Sequence, residues 1–193
     1  MDLLTGSKKI KTAVFISGNG SNLKSLIKFS KTKKSPISID IIISNNSKSK
    51  GLNFGKMFNI KKKIFNFKKK KLAEKKILLE LKRNKISLIC LAGFMKILSS
   101  SFIKNFKGKI LNIHPSLLPK FKGLNTHERA LRNKEKYSGC TVHFVNSKLD
   151  SGKIILQKRV KISKNDSPRT LAKKILIQEH KLYPKAILRV FNL

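Results

Sequence analysis

Acidic side chains are scarce in this chain of 193 residues: nine Asp and Glu stand against 45 Lys and Arg, a formal net charge of +36. Cysteine is scarcer still. Cys90 and Cys140 each sit in an apolar stretch and share no CxxC spacing, which points to buried thiols and argues against a disulfide or a zinc site. No apolar run approaches the roughly 20 residues that span a bilayer, and the short polar stretch Met1–Thr12 lacks a signal-peptide core. The expectation is a cytoplasmic protein with no membrane partner. Arginine is scarce too. Base-reading proteins rely on planar Arg forks and stacking aromatics. Here the excess is Lys, spread along most of the chain and accompanied by many Ile and Asn. Those three residue types have codons rich in adenine and thymine. A solvated lysine coat with no specific nucleic-acid partner accounts for the charge, and nucleic-acid binding through charge alone is the alternative. On either reading the field draws in anionic small molecules.

What is present is a globular composition. Hydrophobic residues make up 40% of the chain, and the length suits one domain with a full core. With no repeat, long linker or composition break, residues 1–193 read as one domain, with halves of about 12–110 and 111–190. Thr12–Ile16, Ser38–Ile43, Lys63–Phe67, Ser87–Ala92 and Lys109–Ile113 read as strands. Gly139–Val145 and Lys153–Ile162 read as a late hairpin through the turn Asp150-Ser151-Gly152. Helical spacing runs on from Leu23 and recurs at about Lys48–Phe58, Lys70–Lys85, Ser99–Phe106 and Asn125–Arg132. Ser167-Pro168 is a cap followed by a first-turn proline, starting a last helix that is predicted to end near Tyr183. Strands alternating with helices predict an α/β fold, a mostly parallel twisted sheet with helices on both faces and an antiparallel edge hairpin.

Leu111-Asn112-Ile113-His114-Pro115-Ser116-Leu117-Leu118-Pro119 carries the most informative chemistry. Residues two apart on an extended chain point the same way, so Asn112 and His114 project side by side from a strand end. A carboxamide donor beside a group that titrates near neutrality suits a reaction in which a carbonyl oxygen becomes negative and needs a hydrogen bond and a proton. The same pair can equally serve a turn. Ser17-Gly18-Asn19-Gly20-Ser21-Asn22 ends the first strand and opens a helix, where N–H groups and the helix dipole favour an anion. It has neither the GxGxxG fingerprint nor the GK[ST] ending of a P-loop, and ordinary turns share its composition. Asp150 is either a turn residue or a carboxylate near His114, where it would favour imidazolium and raise the histidine pKa. His127 reads as part of a surface helix. His143 shares a strand face with Thr141 and either lines the site or packs in the core, and His180 receives no role.

Five segments occur in order: Gly18-Asn19-Gly20-Ser21-Asn22, Leu91-Ala92-Gly93-Phe94-Met95-Lys96-Ile97-Leu98, the Asn112–Pro119 block, Gly139-Cys140-Thr141-Val142-His143-Phe144-Val145 and Leu149-Asp150-Ser151-Gly152. Through them the chain, from about Thr12 to Tyr183, resembles the folate-dependent formyltransferases, and within them the phosphoribosylglycinamide formyltransferase (glycinamide ribonucleotide transformylase) family. The Asn-x-His-x-Ser-Leu-Leu-Pro block marks the wider family and the Gly-Asn-Gly-Ser-Asn loop marks this branch. The resemblance implies a single-domain Rossmann-like formyltransferase fold. It implies transfer of the formyl group of 10-formyltetrahydrofolate, the cosubstrate, to the amine of 5'-phosphoribosylglycinamide in purine synthesis, without a metal. It carries the catalytic roles to Asn112, which donates to the formyl oxygen, and to His114, held protonated by Asp150. It puts the ribonucleotide on Gly20, Ser21 and Asn22 and on Leu176, Ile177, Gln178 and Glu179. Folate contacts fall on Lys70, on Met95, Lys96, Ile97 and Leu98, on Asn112, and on the loop Asn146, Ser147, Lys148, Leu149 and Asp150.

Two residues depart from that family's pattern. Lys96 and Lys70 stand where it commonly has Arg, and Lys lacks the planar fork, so charge alone would hold the folate tail there. The register at Lys70 is open, since Lys68, Lys69 and Lys71 align as well. Methionyl-tRNA formyltransferase shares the Asn-x-His block but differs at the first loop and carries a further carboxyl-terminal domain, for which the chain leaves no room. Formyltetrahydrofolate hydrolase normally adds an amino-terminal regulatory domain, which the expectation of a single domain over residues 1–193 likewise leaves out. The expected partners are small-molecule substrates only, for a monomer or a homodimer.

Overall fold

A computed structural model describes residues 9–193; most of the polar stretch Met1–Thr12 lies outside the described residues. Seven strands form one sheet in the order β3-β2-β1-β4-β5-β6-β7: β1 (Ile10–Ile16), β2 (Ile37–Ser44), β3 (Lys61–Ile64), β4 (Leu88–Leu91), β5 (Lys109–His114), β6 (Tyr137–Phe144) and β7 (Ile154–Lys161). The pairs linking β3 to β5 are parallel, whereas β6 is antiparallel to β5 and β7 is antiparallel to β6. The helices are α1 (Ser21–Ser30), α2 (Asn53–Met57), α3 (Lys70–Arg83), α4 (Ser100–Asn105), α5 (Thr126–Arg132) and α6 (Pro168–Val190). The expected α/β sheet with an antiparallel edge is the observed one.

Strand alternation sorts the core into two layers. Val14 and Ile16 pack with Leu23, Leu26 and Ile27 of α1 and with Leu171, Ile175 and Tyr183 of α6. Ala13 and Phe15 pack on the opposite face with Ile77 and Leu81 of α3 and Phe102 of α4. The unbroken apolar run of β1 follows from this: a strand covered on both faces needs no polar side. Each large aliphatic or aromatic side chain buried this way contributes roughly 1.5–3 kcal/mol. Cys90 and Cys140 are free and buried, and burial pushes both thiols up to about 12. Among the described residues no helix is long and apolar enough to cross a membrane.

Three expectations shift. β3 pairs through Lys61–Ile64 rather than Lys63–Phe67, because Phe65 and Phe67 leave the strand to pack into the second layer. β6 and β7 are joined by a loop over residues 145–153 rather than by a tight turn, with Asp150 in left-handed backbone at φ 44. Gly152 passes so close to the Phe144 carbonyl that a Cβ would sit 1.7 Å from its oxygen. Finally, α6 does not stop near Tyr183 but runs through Pro184 to Val190. Proline has no N–H for the carbonyl one turn back, that of His180. Ser25 Oγ of α1 donates to that carbonyl at 2.9 Å, and Ala186 and Ile187 beyond the proline are fully buried. The start of the helix is as expected: Ser167 caps it with Pro168 next, and Ser167 and Thr170 form a capping box across that proline.

Candidate active site

The loops after β1, β2 and β4 meet at the carboxyl ends of the parallel strands, where open α/β sheets bind ligands. Ser17 N donates to Gly93 O at 3.1 Å, and Met95 N donates to Ser17 Oγ at 2.8 Å. From the next loop, Ser49 Oγ and Gly51 N donate to Gly18 O at 2.6 and 3.0 Å. Gly20 precedes α1 at φ 74, and a Cβ there would stand 2.7 Å from Gly51 Cα, so both its backbone and its neighbour require glycine. Among the described residues no side chain caps α1. The first-turn N–H groups are left for a ligand beside a cavity of about 230 Å³ lined by Ser17 to Asn22, Ala92, Gly93 and Met95. An anion is what such a terminus favours.

A cavity of about 870 Å³ adjoins it and shares Asn22, Gly93 and Met95. Leu111 and Ile113 of β5 point into the first core layer, so the alternating Asn112 and His114 point to the other face. Antiparallel register sets His143 opposite Asn112. The loop between β6 and β7 folds back over this face and brings Asp150 to all three. Asp150 Oδ2 lies 3.3 Å from His114 Nδ1 and accepts from Gly123 N at 2.9 Å. Its Oδ1 accepts from Asn112 Nδ2 at 3.4 Å and lies 3.6 Å from His143 Nε2. His143 Nδ1 is 2.8 Å from Phe144 O, which can only accept. The neutral ring therefore carries its proton on Nδ1, and Nε2 accepts from Asn112 Nδ2 at 3.2 Å. His114 faces an acceptor at each ring nitrogen, Phe121 O at 2.9 Å from Nε2 and the Asp150 carboxylate at 3.3 Å from Nδ1, so the neutral ring can donate to one of them and the imidazolium to both.

The electrostatics correct one expectation. Burial pulls His114 below the usual histidine value; the Phe121 carbonyl and Asp150 oppose this without offsetting it, and His143 and Arg129 add to the lowering. Asp150 does contact His114, but desolvation of the imidazolium wins over the pairing. Burial would raise Asp150, yet the facing His143 ring, the hydrogen bond from the Gly123 N–H and the nearby His114 hold its carboxyl below the ordinary range. Glu179 goes the other way: burial raises it, and the single hydrogen bond from Asn22 Nδ2, at 2.7 Å, only partly opposes that. His127 lies on the partly exposed helix α5, as expected, but is itself half-buried. It lines the larger cavity, is lowered by burial and then by His114, and its buried Nδ1 has no partner among the described residues.

The structure brings together Asn112, His114 and Asp150, and lines the larger cavity with Met95, Lys96, Ile97, Leu98, Asn146, Ser147, Lys148, Leu149, Leu176 and Glu179. Gly20 and Ser21 line the smaller cavity and Asn22 lines both. Ile177 and Gln178 lie on α6 between Leu176 and Glu179 and line neither cavity, as helical spacing dictates. Lys70 is exposed at the start of α3 and lines neither, nor do Lys68, Lys69 and Lys71. The preceding turn drives Phe67 against Phe94, with centroids 5.5 Å apart, and sends the lysines outward. Sequence reasoning missed the backbone groups of Phe121 and Gly123, for which side-chain type gives no signal. It left His143 undecided, and only the cross-strand register settles that it faces Asn112. Among the described residues no cluster of three His, Cys, Asp or Glu could hold a metal ion.

A family model described as Formyl transferase matches residues 10–187. The chain is 44% identical over 183 residues to the human trifunctional purine biosynthetic protein adenosine-3, covering 93% of this chain but only 18% of that protein. It is 38% identical over 177 residues to phosphoribosylglycinamide formyltransferase of Escherichia coli (strain K12), covering 90% of this chain and 84% of that one. Among solved structures, glycinamide ribonucleotide transformylase 1 from Symbiobacterium toebii superposes with a TM-score of 0.92 at 33% identity, over 99% of this chain and 91% of that chain.

Proposed function

The chain belongs to the formyl transferase family, and from that premise we propose that it transfers the formyl group of 10-formyltetrahydrofolate to the amine of 5'-phosphoribosylglycinamide. The products are N-formylglycinamide ribonucleotide and tetrahydrofolate, a step of purine synthesis. The observation that carries the proposal is the cluster of a carboxamide, an imidazole and a carboxylate around Asp150, next to an uncapped helix start fit for a phosphate. The chain's similarity to a bacterial enzyme named for this reaction supports it.

Gly20, Ser21 and Asn22 take the phosphate of the ribonucleotide, with Glu179 and Leu176 beside it. The apolar side chains Met95, Ile97, Leu98 and Leu149 receive the flat ring of the folate, and Lys96 and Lys148 attract its anionic tail by charge. The substrate amine attacks as the neutral species. Asn112 Nδ2–H turns to the formyl oxygen as that oxygen gains negative charge. His114, kept neutral at rest by burial, takes up the proton shed by the amine on Nδ1, where Asp150 stabilises the imidazolium. His114 then returns the proton to the departing folate nitrogen. This reverses the expectation of a histidine protonated from the outset. The chain acts as a single domain, a cytoplasmic monomer or homodimer that works on small molecules and has no specific nucleic-acid partner.

The test is formyl transfer from 10-formyltetrahydrofolate offered three acceptors: glycinamide ribonucleotide, methionyl-tRNA and water. Turnover with the ribonucleotide alone is expected. Turnover with the tRNA, or hydrolysis only, would overturn the proposal.

A further inference from the structure

We infer that Arg129 of α5 is a positioning residue: it grips the loop between Pro119 and α5, so that two backbone groups of this loop hold the His114–Asp150 pair in place. The loop has a backbone that side chains with a Cβ disfavour. Phe121, Gly123 and Asn125 all lie in the left-handed region, at φ 55, 78 and 56. Something outside the loop must hold it there, and Arg129 makes the contacts. Its Nη1 donates to Lys122 O at 2.6 Å and to Leu124 O at 3.3 Å, and the guanidinium carbon lies 5.4 Å from the centre of the Phe121 ring. A planar, always charged fork can bridge two carbonyls and stack on a ring together.

Two other backbone groups of the loop serve the pair. Phe121 O faces His114 Nε2 at 2.9 Å, and Gly123 N donates to Asp150 Oδ2 at 2.9 Å. The carbonyls of Lys122 and Leu124 thus go to Arg129, while the carbonyl of Phe121 and the amide of Gly123 go to the catalytic pair. The Phe121 carbonyl anchors the His114 ring through Nε2 and so fixes how Nδ1 faces Asp150. The Gly123 amide fixes the carboxylate that faces the other nitrogen. A loop freed from Arg129 leaves both groups misplaced, although Arg129 itself touches no reacting atom. The guanidinium also disfavours charge on His114. A lysine at 129 retains that charge without the fork, and a methionine retains only the length.

The kinetic half of this inference rests on the formyl-transfer reading; the structural half does not. The experiment compares Arg129→Met and Arg129→Lys with Arg132→Met, a control at an exposed position on the same helix. Two quantities are measured in each folded protein: hydrogen exchange at the Gly123 amide by NMR, and steady-state formyl transfer. In Arg129→Met, Gly123 is expected to exchange roughly tenfold faster or more, and kcat to fall by roughly 10- to 100-fold, with KM for both substrates within about twofold. Arg129→Lys is expected to lie between this variant and the parent in both quantities, and Arg132→Met to match the parent. If Arg129→Met does not fold, Arg129→Lys alone carries the same two readouts. Unchanged Gly123 exchange overturns the grip on the loop. Faster exchange with unchanged kcat, or a loss confined to KM, overturns the positioning role. A parent chain without formyl transfer defeats the proposed function, while the exchange comparison still decides whether Arg129 holds the loop.

Discussion

Asp150 and Glu179 are carboxyl groups lining one cleft, and their surroundings drive them in opposite directions. Asp150 meets a backbone N–H, a carboxamide and two imidazoles, and is held below the ordinary carboxylate range. Glu179 meets one neutral amide, that of Asn22, and burial raises it. What separates them is the set of groups facing each, together with the deeper burial of Glu179. A cleft with one carboxyl kept ionised and another drawn to its neutral form can stabilise a proton at one end and donate a hydrogen bond at the other.

The sharpest test of that contrast is a matched pair of isosteric changes. Asp150→Asn keeps the shape and removes the charge, and kcat is expected to fall by on the order of 10²-fold or more. Glu179→Gln should leave kcat within about tenfold and act chiefly on KM for the ribonucleotide; equal losses of kcat would erase the contrast. Next come Asn112→Ala and His114→Ala, each expected to lower kcat by on the order of 10²-fold. A His114→Ala variant with unchanged kcat would remove the mechanism.

Acid titration gives a smaller effect with a definite sign. His114, His127 and His180 are all lowered from 6.5 by burial, so below that pH the unfolded chain binds protons that the folded chain refuses. Their contribution is present above 6.5 and is lost as pH falls toward their folded values. Glu179, raised from 4.5, contributes oppositely: its stabilisation is full below 4.5 and is lost as pH rises through its folded value. The melting temperature should therefore drop between about pH 7 and pH 5, and His114→Gln should flatten the drop. The smallest effect is expected for His143→Phe, which removes the acceptor that orients Asn112. A loss of kcat of about tenfold or less is anticipated, in keeping with one hydrogen bond, and no change at all would make His143 a packing residue.

Much of this was legible in the sequence, for physical reasons that differ by element. β1, β4 and β5 are apolar runs between turn residues, and Asn112 and His114 share a face because extended chains repeat every two residues. The end of α6 was not legible: proline signals a stop, and its effect is cancelled by a hydroxyl from Ser25, far away in the chain. β3 was misplaced because its apolar neighbours Phe65 and Phe67, which look like strand residues, serve the core while lysines make the backbone pairs. Asp150 was identified by resemblance, since Asp-Ser-Gly alone describes any turn. The contacts of Phe121 and Gly123 with the pair are made by backbone, and a one-letter code holds no record of where a peptide group points.

The lysines of the two outermost strands have a consequence of their own. Lys61, Lys62 and Lys63 run along one border of the sheet, and Lys158, Arg159 and Lys161 along the other. Two molecules that approach border to border bring like charges together before any backbone bond can form between them. Cationic borders thus act as electrostatic insulation, opposing growth of an open-ended sheet by edge-to-edge pairing.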